Sequence, residues 1–400
     1  MLRAEQAVGM LTPINDSIDG VLSVTHRLWP VGGAFGIYGV FFGAWGVSAP
    51  ELTDALGGVG GFGLVVSAGL LLGAVGNTIG GVIAERRGTS AALTGALLLW
   101  AVLLFGASIA PAPWGLTFAM VLVFGIAGVV DVVANVAATA ALSHHPGQLV
   151  RFHSTFNMGG LLGCLIAGVA LGVLGPSGWR WLWPIVGTVA IALAVSSRGV
   201  SLPAGTAGES VRLADGLRTL RRERLMGPAL AFALGAIVEG GVGTWGVLHL
   251  RRQLQAGLLI GAGGALLGFA VAAVARILIG GVATRRGAQL VLILGTSTTA
   301  LGLAVLAAVP EPKIAALGLI AAAAGVAVCW PLILAEIGRG QARPGALVGA
   351  VTTLGYIGMV GGPAIIGALV ARWNTTVGLW VLVVLAAGIA PCALIGRRNL

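Results

Sequence analysis

Residues 59–88 read VGGFGLVVSAGLLLGAVGNTIGGVIAERRG, and residues 258–287 read LLIGAGGALLGFAVAAVARILIGGVATRRG. Each is a long apolar run that ends on two arginines and a glycine. A helix rises about 1.5 Å per residue, so about 20 apolar residues cross the roughly 30 Å hydrocarbon core of a bilayer. Both runs meet that length, and they also match each other. Gly81-xxx-Glu85-Arg86-Arg87-Gly88 returns 199 residues later as Gly280-xxx-Thr284-Arg285-Arg286-Gly287. Upstream, Gly43-Ala44-Trp45-Gly46-Val47 returns at an offset of 200 as Gly243-Thr244-Trp245-Gly246-Val247. Downstream, Pro146-Gly147-Gln148-Leu149-Val150 returns at an offset of 198 as Pro344-Gly345-Ala346-Leu347-Val348. With 67 glycines in the chain one match would mean little. Three in the same order at nearly one offset mean that a unit of half the chain is repeated.

Composition agrees with a membrane-embedded chain. Of 400 residues, 57% are apolar and 9% charged, and the mean hydropathy is +1.00. Such usage excludes a water-soluble enzyme, and disorder requires the opposite balance. The net charge of +10 does not imply a nucleic-acid partner. The basic residues come in short clusters between apolar segments, not on one solvated face. Cys164, Cys329 and Cys392 each fall inside an apolar segment without CxxC spacing, so they read as packing residues and imply neither disulfide nor metal.

Twelve segments of spanning length separate at charges and turn residues: 29–49, 59–84, 90–110, 114–142, 152–175, 181–196, 226–248, 256–284, 288–309, 314–337, 346–371 and 375–395. The reading is an all-α membrane protein of twelve transmembrane helices in two pseudo-symmetric six-helix halves. Residues 1–28 form a cytoplasmic segment without an apolar run of signal-peptide length. Residues 29–196 form the first bundle, and residues 226–400 form the second with a short tail. The linker 197–225 carries Arg212, Arg218, Arg221, Arg222 and Arg224, with Leu213, Leu217, Leu220 and Leu225 at helical spacing. That pattern predicts a basic amphipathic helix on the membrane surface. An even number of spans separates equivalent positions, so the halves share orientation about an axis along the membrane normal. Placing the amino terminus inside puts 17 basic residues in the cytoplasm and five outside, Arg180, Arg251, Arg252, Lys313 and Arg372, with Arg276 inside a span. This bias predicts a cytoplasmic membrane location with both termini inside. Trp29, Trp114, Trp179, Trp181 and Trp373 lie near span ends, where indole rings favour the lipid interface.

A charge at mid-membrane costs at least about 2.5–3.5 kcal/mol on insertion scales, so each one must face protein or a watery cavity. Asp131, Glu239 and Arg276 lie well within spans. Glu239 and Arg276, on consecutive spans at similar depth, are placed to pair, either as a binding and coupling site or as a lock between two helices. The repeat sets Asn77 where Arg276 stands in the other half. Asp131 and Asn135 share a helix face, as do His153 and Asn157, and these four are candidates to line a cavity. For His153, interfacial packing is an equal alternative. Trp330, Tyr356, Thr352 and Thr353 are polar-tipped groups in later spans, open to either cavity lining or helix packing. At the cytoplasmic mouth, Glu85 with Arg86 and Arg87 reads as an ion-pair latch closing the halves, with Glu336, Arg285, Arg286 and Arg339 as its counterparts. No phosphate-binding glycine loop and no paired-aspartate metal motif occurs, so no cofactor is expected.

The turn after the second span resembles that of the major facilitator superfamily, whose pattern is G-xxx-D-R-x-G. Gly81, Glu85, Arg86 and Gly88 fit it with Glu in place of Asp. Asp131-xxx-Asn135, His153-Ser154-Thr155-Phe156-Asn157 and Glu239 resemble segments of its sugar-permease-like and efflux branch. The efflux subset often carries glycine with proline in span five. Here span five has Gly159, Gly160, Gly163 and Gly168 without proline, and Gly361-Gly362-Pro363 lies in span eleven instead. The resemblance covers nearly the whole chain. It implies a monomeric secondary transporter that alternates access by rocking one half against the other, with lipid, a small-molecule substrate and protons as partners. The substrate expected is a small polar organic solute, a sugar-like one included, coupled to protons through intramembrane carboxylates. Export of an amphipathic drug or metabolite by proton antiport is the alternative, and a transporter-fold sensor or membrane-embedded enzyme the remote one.

Overall fold

In the computed structural model, residues 28–142, 146–203, 218, 220–329, 332–333, 351, 355, 358, 362 and 365–395 are described. Among them, ten helices are long and apolar enough to cross a membrane. Spans one to six are Trp29–Val47, Val59–Arg87, Thr89–Ile109, Trp114–Leu142, Pro146–Leu174 and Trp179–Ser196. Spans seven to nine are Met226–Leu248, Leu258–Arg286 and Ala288–Ala308, and span twelve is Thr375–Leu394. Span ten, Pro312–Ala327, is a shorter apolar helix. The segment expected as span eleven is helical at its described positions 351, 355, 358, 362 and 365–371. Of the expected amphipathic linker helix, residues 218 and 220–222 are described and helical, with Leu220 buried; 204–217 lie outside the described residues.

The helix of span ten is interrupted at Val328, which forms a turn, and the described residues beyond it, Cys329, Leu332 and Ile333, are helical again. The sequence supplies a cause. Pro331 has no N–H with which to bond the carbonyl four residues back, that of Ala327, so the ladder loses a rung there. Span five in turn begins at Pro146, where the missing N–H costs nothing. Two short elements were not evident in the sequence. A helix at Ala49–Ala55 follows span one, and a wide turn at His249–Gln253 follows span seven.

The packing repeats as the sequence does. Span one lies along span five, two along four, and three between four and six; in the second half eight lies along ten, and nine between ten and twelve. Small residues permit the close approaches, as expected where lipid supplies no hydrophobic drive between helices. A Cβ on Gly43 would run into the carbonyl of Gly160, and one on Gly163 into that of Val40, so spans one and five meet backbone to backbone. Gly302 and Gly318 do the same for spans nine and ten. Large apolar side chains such as Leu71, Val102, Ile109 and Val384 point outward, which suits a lipid surface. Among the described residues, the halves meet mainly along spans five and eight.

Trp29, Trp114, Trp181 and Trp373 are exposed, as interface residues should be, but Trp179 is buried. Arg180 explains the difference. Its guanidinium lies over the Trp179 ring, 4.6 Å from the centroid, while Nη1 donates to the carbonyls of Ser108 (2.9 Å) and Ala110 (3.2 Å). These bonds satisfy the open end of span three and draw the start of span six inward.

Candidate functional site between the halves

Arg276 is the centre of the polar interior. Its Nη2 donates to Oε1 of Glu239 at 2.5 Å, its Nη1 to Oδ1 of Asn157 at 3.3 Å, and its Nε to the carbonyl of Ala327 at 3.2 Å. One guanidinium therefore joins spans seven, eight and ten to span five of the other half. A proline four residues on has no N–H to give the Ala327 carbonyl, so the interruption of span ten leaves that oxygen as an acceptor for the buried cation. The side chain of Arg276 is 12% exposed and that of Glu239 33%, which makes the carboxylate the accessible member of the pair. Asn157 is buried, and its Nδ2 has no partner among the described residues. Aromatic rings border the cluster. Phe156, next to Asn157, contacts Tyr38 and Phe42 in its own half and Phe269 in the other.

The remaining expected residues are distributed around this centre. Asn135 Nδ2 donates to Oδ1 of Asp131 at 2.9 Å and to its carbonyl at 3.0 Å, so these two form a local pair on span four. Asn77 does not join Arg276; it sits on span two with Oδ1 buried and without a partner among the described residues. His153 falls on span five, its side chain outside the described set, and Trp330, Glu336, Arg339, Thr352, Thr353, Tyr356, Gly361 and Pro363 lie outside the described residues, as does the side chain of Arg285. Glu85, Arg86, Arg87 and Arg286 are exposed, and no ion pair links the first three to the second half among the described residues. Gly88 has φ 84° and ψ 149°, and Gly287 φ 89° and ψ 138°, so the repeated turn needs glycine at the same point in both halves. Gly81 has open space where a Cβ would stand.

Ion pairs between the halves occur instead at the opposite face. Arg251 contacts Glu51 through two bonds, Nη2 to Oε1 at 2.6 Å and Nη1 to Oε2 at 2.9 Å. Arg252 pairs with Asp54 and donates to the carbonyl of Pro50 at 2.7 Å. The sequence analysis counted Arg251 and Arg252 only among the basic residues outside and did not single out Glu51 or Asp54. The signal that could have found them is the repeat, since Glu51 and Arg251 are separated by its offset of 200. Among the described residues, no group of three His, Cys, Asp or Glu side chains is placed to hold a metal ion.

A family model of the Major Facilitator Superfamily matches residues 31–363. The chain belongs to that superfamily. It is a multi-pass secondary transporter and not an enzyme. Solved structures agree in fold. The nucleoside transporter NupG superposes with a TM-score of 0.72 at 12% identity, over 93% of this chain and 100% of that one. A D-xylose–proton symporter gives a TM-score of 0.70 at 16% identity, over 94% and 97% of the two chains. The E. coli fucose:proton symporter FucP gives 0.65 at 14% identity, over 94% and 100%. A search of curated protein sequences returns no significant match.

Proposed function

We propose that this superfamily member moves a small polar organic solute of sugar-like character across the cytoplasmic membrane, coupled to protons through Glu239. The observation that carries the reading is the Arg276 cluster: an ion pair inside apolar spans that reaches across the boundary between the halves to Asn157. An isolated charge there would be expelled or neutralised, so the pair persists because each member answers the other. A proton taken up by Glu239 removes the counter-charge of Arg276 and leaves a guanidinium seeking an acceptor. A hydroxyl-bearing solute can provide one. Proton and substrate then favour the same rearrangement, and a ligand shifts conformations only by such differential affinity.

Two buried amide atoms support a polar ligand, since Asn157 Nδ2 and Asn77 Oδ1 would each lose free energy if left unmet. The aromatic faces of Tyr38, Phe156 and Phe269 suit the apolar face of a sugar ring. Structural neighbours named as proton symporters of xylose and fucose favour the same class. In this reading residues 29–196 and 226–400 are the two rocking bodies joined by the linker 197–225, a single chain suffices, and both termini are cytoplasmic. Asp131, Asn135, His153, Trp330 and Tyr356 line the path, and Gly81, Glu85, Arg86, Arg87, Gly88, Arg285, Arg286 and Glu336 form the cytoplasmic gate.

The test is uptake by proteoliposomes across a panel of sugars and related polyols, with and without an imposed pH gradient. Glu239→Gln should abolish gradient-driven accumulation while counterflow exchange continues. Arg276→Ala should be more damaging, because it strands a buried carboxylate. Asp131→Asn is the control: if it alone uncouples transport, coupling resides in the first half. Undiminished gradient-driven uptake by Glu239→Gln would return the pair to a purely structural role.

A further inference from the structure

Glu51 and Arg251 meet because of where they stand in the repeat. Residues 43–47 correspond to 243–247 at an offset of 200, and the same offset carries Glu51 onto Arg251. Two copies of a unit related by a two-fold axis bring equivalent positions together where the axis passes, so whatever occupies that position meets its own counterpart. Two identical charges there would repel. This chain carries a carboxylate in one copy and a guanidinium in the other, in two-pronged geometry, with side chains 9% and 17% exposed. Such parallel bonds are the strong form of a charge-assisted contact.

The surroundings follow the same symmetry. Trp45 and Trp245, again 200 apart, flank Phe62: the first stacks on it at 5.2 Å between centroids, and the second meets it edge-on at 5.9 Å. A Cβ on Gly46 would come within 3.2 Å of the Gly243 carbonyl, and one on Gly63 within 3.6 Å of the Gly367 Cα. Spans one and seven, and two and eleven, are thus closed on each other at this face. Arg252 adds a peripheral pair with the more exposed Asp54. At the other face, Glu85, Arg86 and Arg87 are exposed and form no ion pair with the second half among the described residues.

We propose that the Glu51–Arg251 pair is the latch that holds the two halves together at the face opposite the Glu85–Gly88 turn, and that each transport cycle breaks and remakes it. The proposal rests on the alternating-access reading above but on neither the sugar nor the proton assignment. Among the described residues, Glu51, Asp54, Arg251 and Arg252 make the charged contacts there, and of the two pairs Glu51–Arg251 lies on the repeat-equivalent positions. Glu51 and Arg251 are positioning residues: they touch each other and not the Arg276 cluster.

The experiment measures the opening of that face directly. Spin labels are placed at Gly60→Cys, where an added side chain meets nothing, and at the exposed Gln253→Cys, in full-length protein without its three native cysteines. Double electron–electron resonance then reads the distance distribution without substrate. The parent protein should show chiefly the short distance. Glu51→Arg and Arg251→Glu should each enlarge the long-distance population at least about fivefold, the lower end of usual coupling between sites. The double variant, Glu51→Arg with Arg251→Glu, should restore the short distance, because the swapped pair regains its attraction. Glu51→Gln, milder for folding, should lie between. An unchanged distribution in Glu51→Gln and Arg251→Glu, or a double variant no more closed than the singles, would overturn the latch. Because no solute or pH gradient enters the measurement, its failure is separate from any failure of the proposed substrate or coupling.

Discussion

Nη1 of Arg276 donates to Oδ1 of Asn157 at 3.3 Å, across the boundary between the two halves. Asn157 is buried, so the acceptor matters more than an exposed asparagine would. A hydrogen bond to a charged group contributes about 1.5–3 kcal/mol. Asn157→Ala should therefore lower the stability of the detergent-solubilised protein by an amount of that order, seen as a reduced melting temperature. Asn157→Asp should recover the stability but place two carboxylates on one guanidinium, so that one of them must hold a proton. Its uptake should then depend on pH differently from that of the parent. An Asn157→Ala protein that melts with the parent would show that Arg276 is sufficiently held by Glu239 and Ala327 alone.

The fold was legible because hydropathy and repetition are properties of long stretches. Errors at single residues average out over a span, and three separate matches at offsets of 198 to 200 determine the symmetry of the packing. The Glu239–Arg276 pair was legible for a different reason: charges within spans are costly enough to be rare, so two at similar depth on consecutive spans have few other partners. Asn157 was found only as a member of a polar helix face, because its contact with Arg276 depends on the angle at which spans five and eight cross. The Ala327 carbonyl was invisible without coordinates, although Pro331 marked it as a carbonyl lacking its helical donor. Equivalence in the repeat carried position but not chemistry. Asn77 matches Arg276 in position but is not among its hydrogen-bond partners in the described residues, since symmetry copies the backbone while each half chooses its own chemistry. Glu51 and Arg251 were passed over because charges at span ends are the ordinary case.

Orientation can be tested with single cysteines in a background lacking the native three. If the arginine bias reads correctly, the turn at Arg86 and the linker at Arg221 are cytoplasmic and Gln253 is outside. All three side chains are exposed, so labelling reports sidedness and not burial. Arg86→Cys and Arg221→Cys should resist an impermeant maleimide in intact cells and react after permeabilisation, whereas Gln253→Cys should react in both. Labelling of Arg86→Cys from outside would invert the topology and make the Glu51–Arg251 face cytoplasmic.

The repeated turn offers a contrast between two glycines of one motif. Gly88 occupies a region of backbone space that is almost closed to residues with a Cβ, and Gly287 occupies nearly the same region in the second half. Residues forced into such conformations cost about 1–3 kcal/mol. Gly81 is helical, with nothing near the place a methyl group would take. Alanine there removes backbone freedom from the unfolded chain and favours the helix by about 0.5–1 kcal/mol. Gly88→Ala and Gly287→Ala should thus each lower the melting temperature in detergent, by similar amounts, while Gly81→Ala should leave it unchanged or raise it. Transport measured beside stability separates two further possibilities. If Gly81→Ala is stable but slow, the open space beside Gly81 is used in another conformation, as the gate proposed at this turn requires. If instead Gly88→Ala melts with the parent protein, the turn relaxes without strain, and glycine at that point is not required by the backbone.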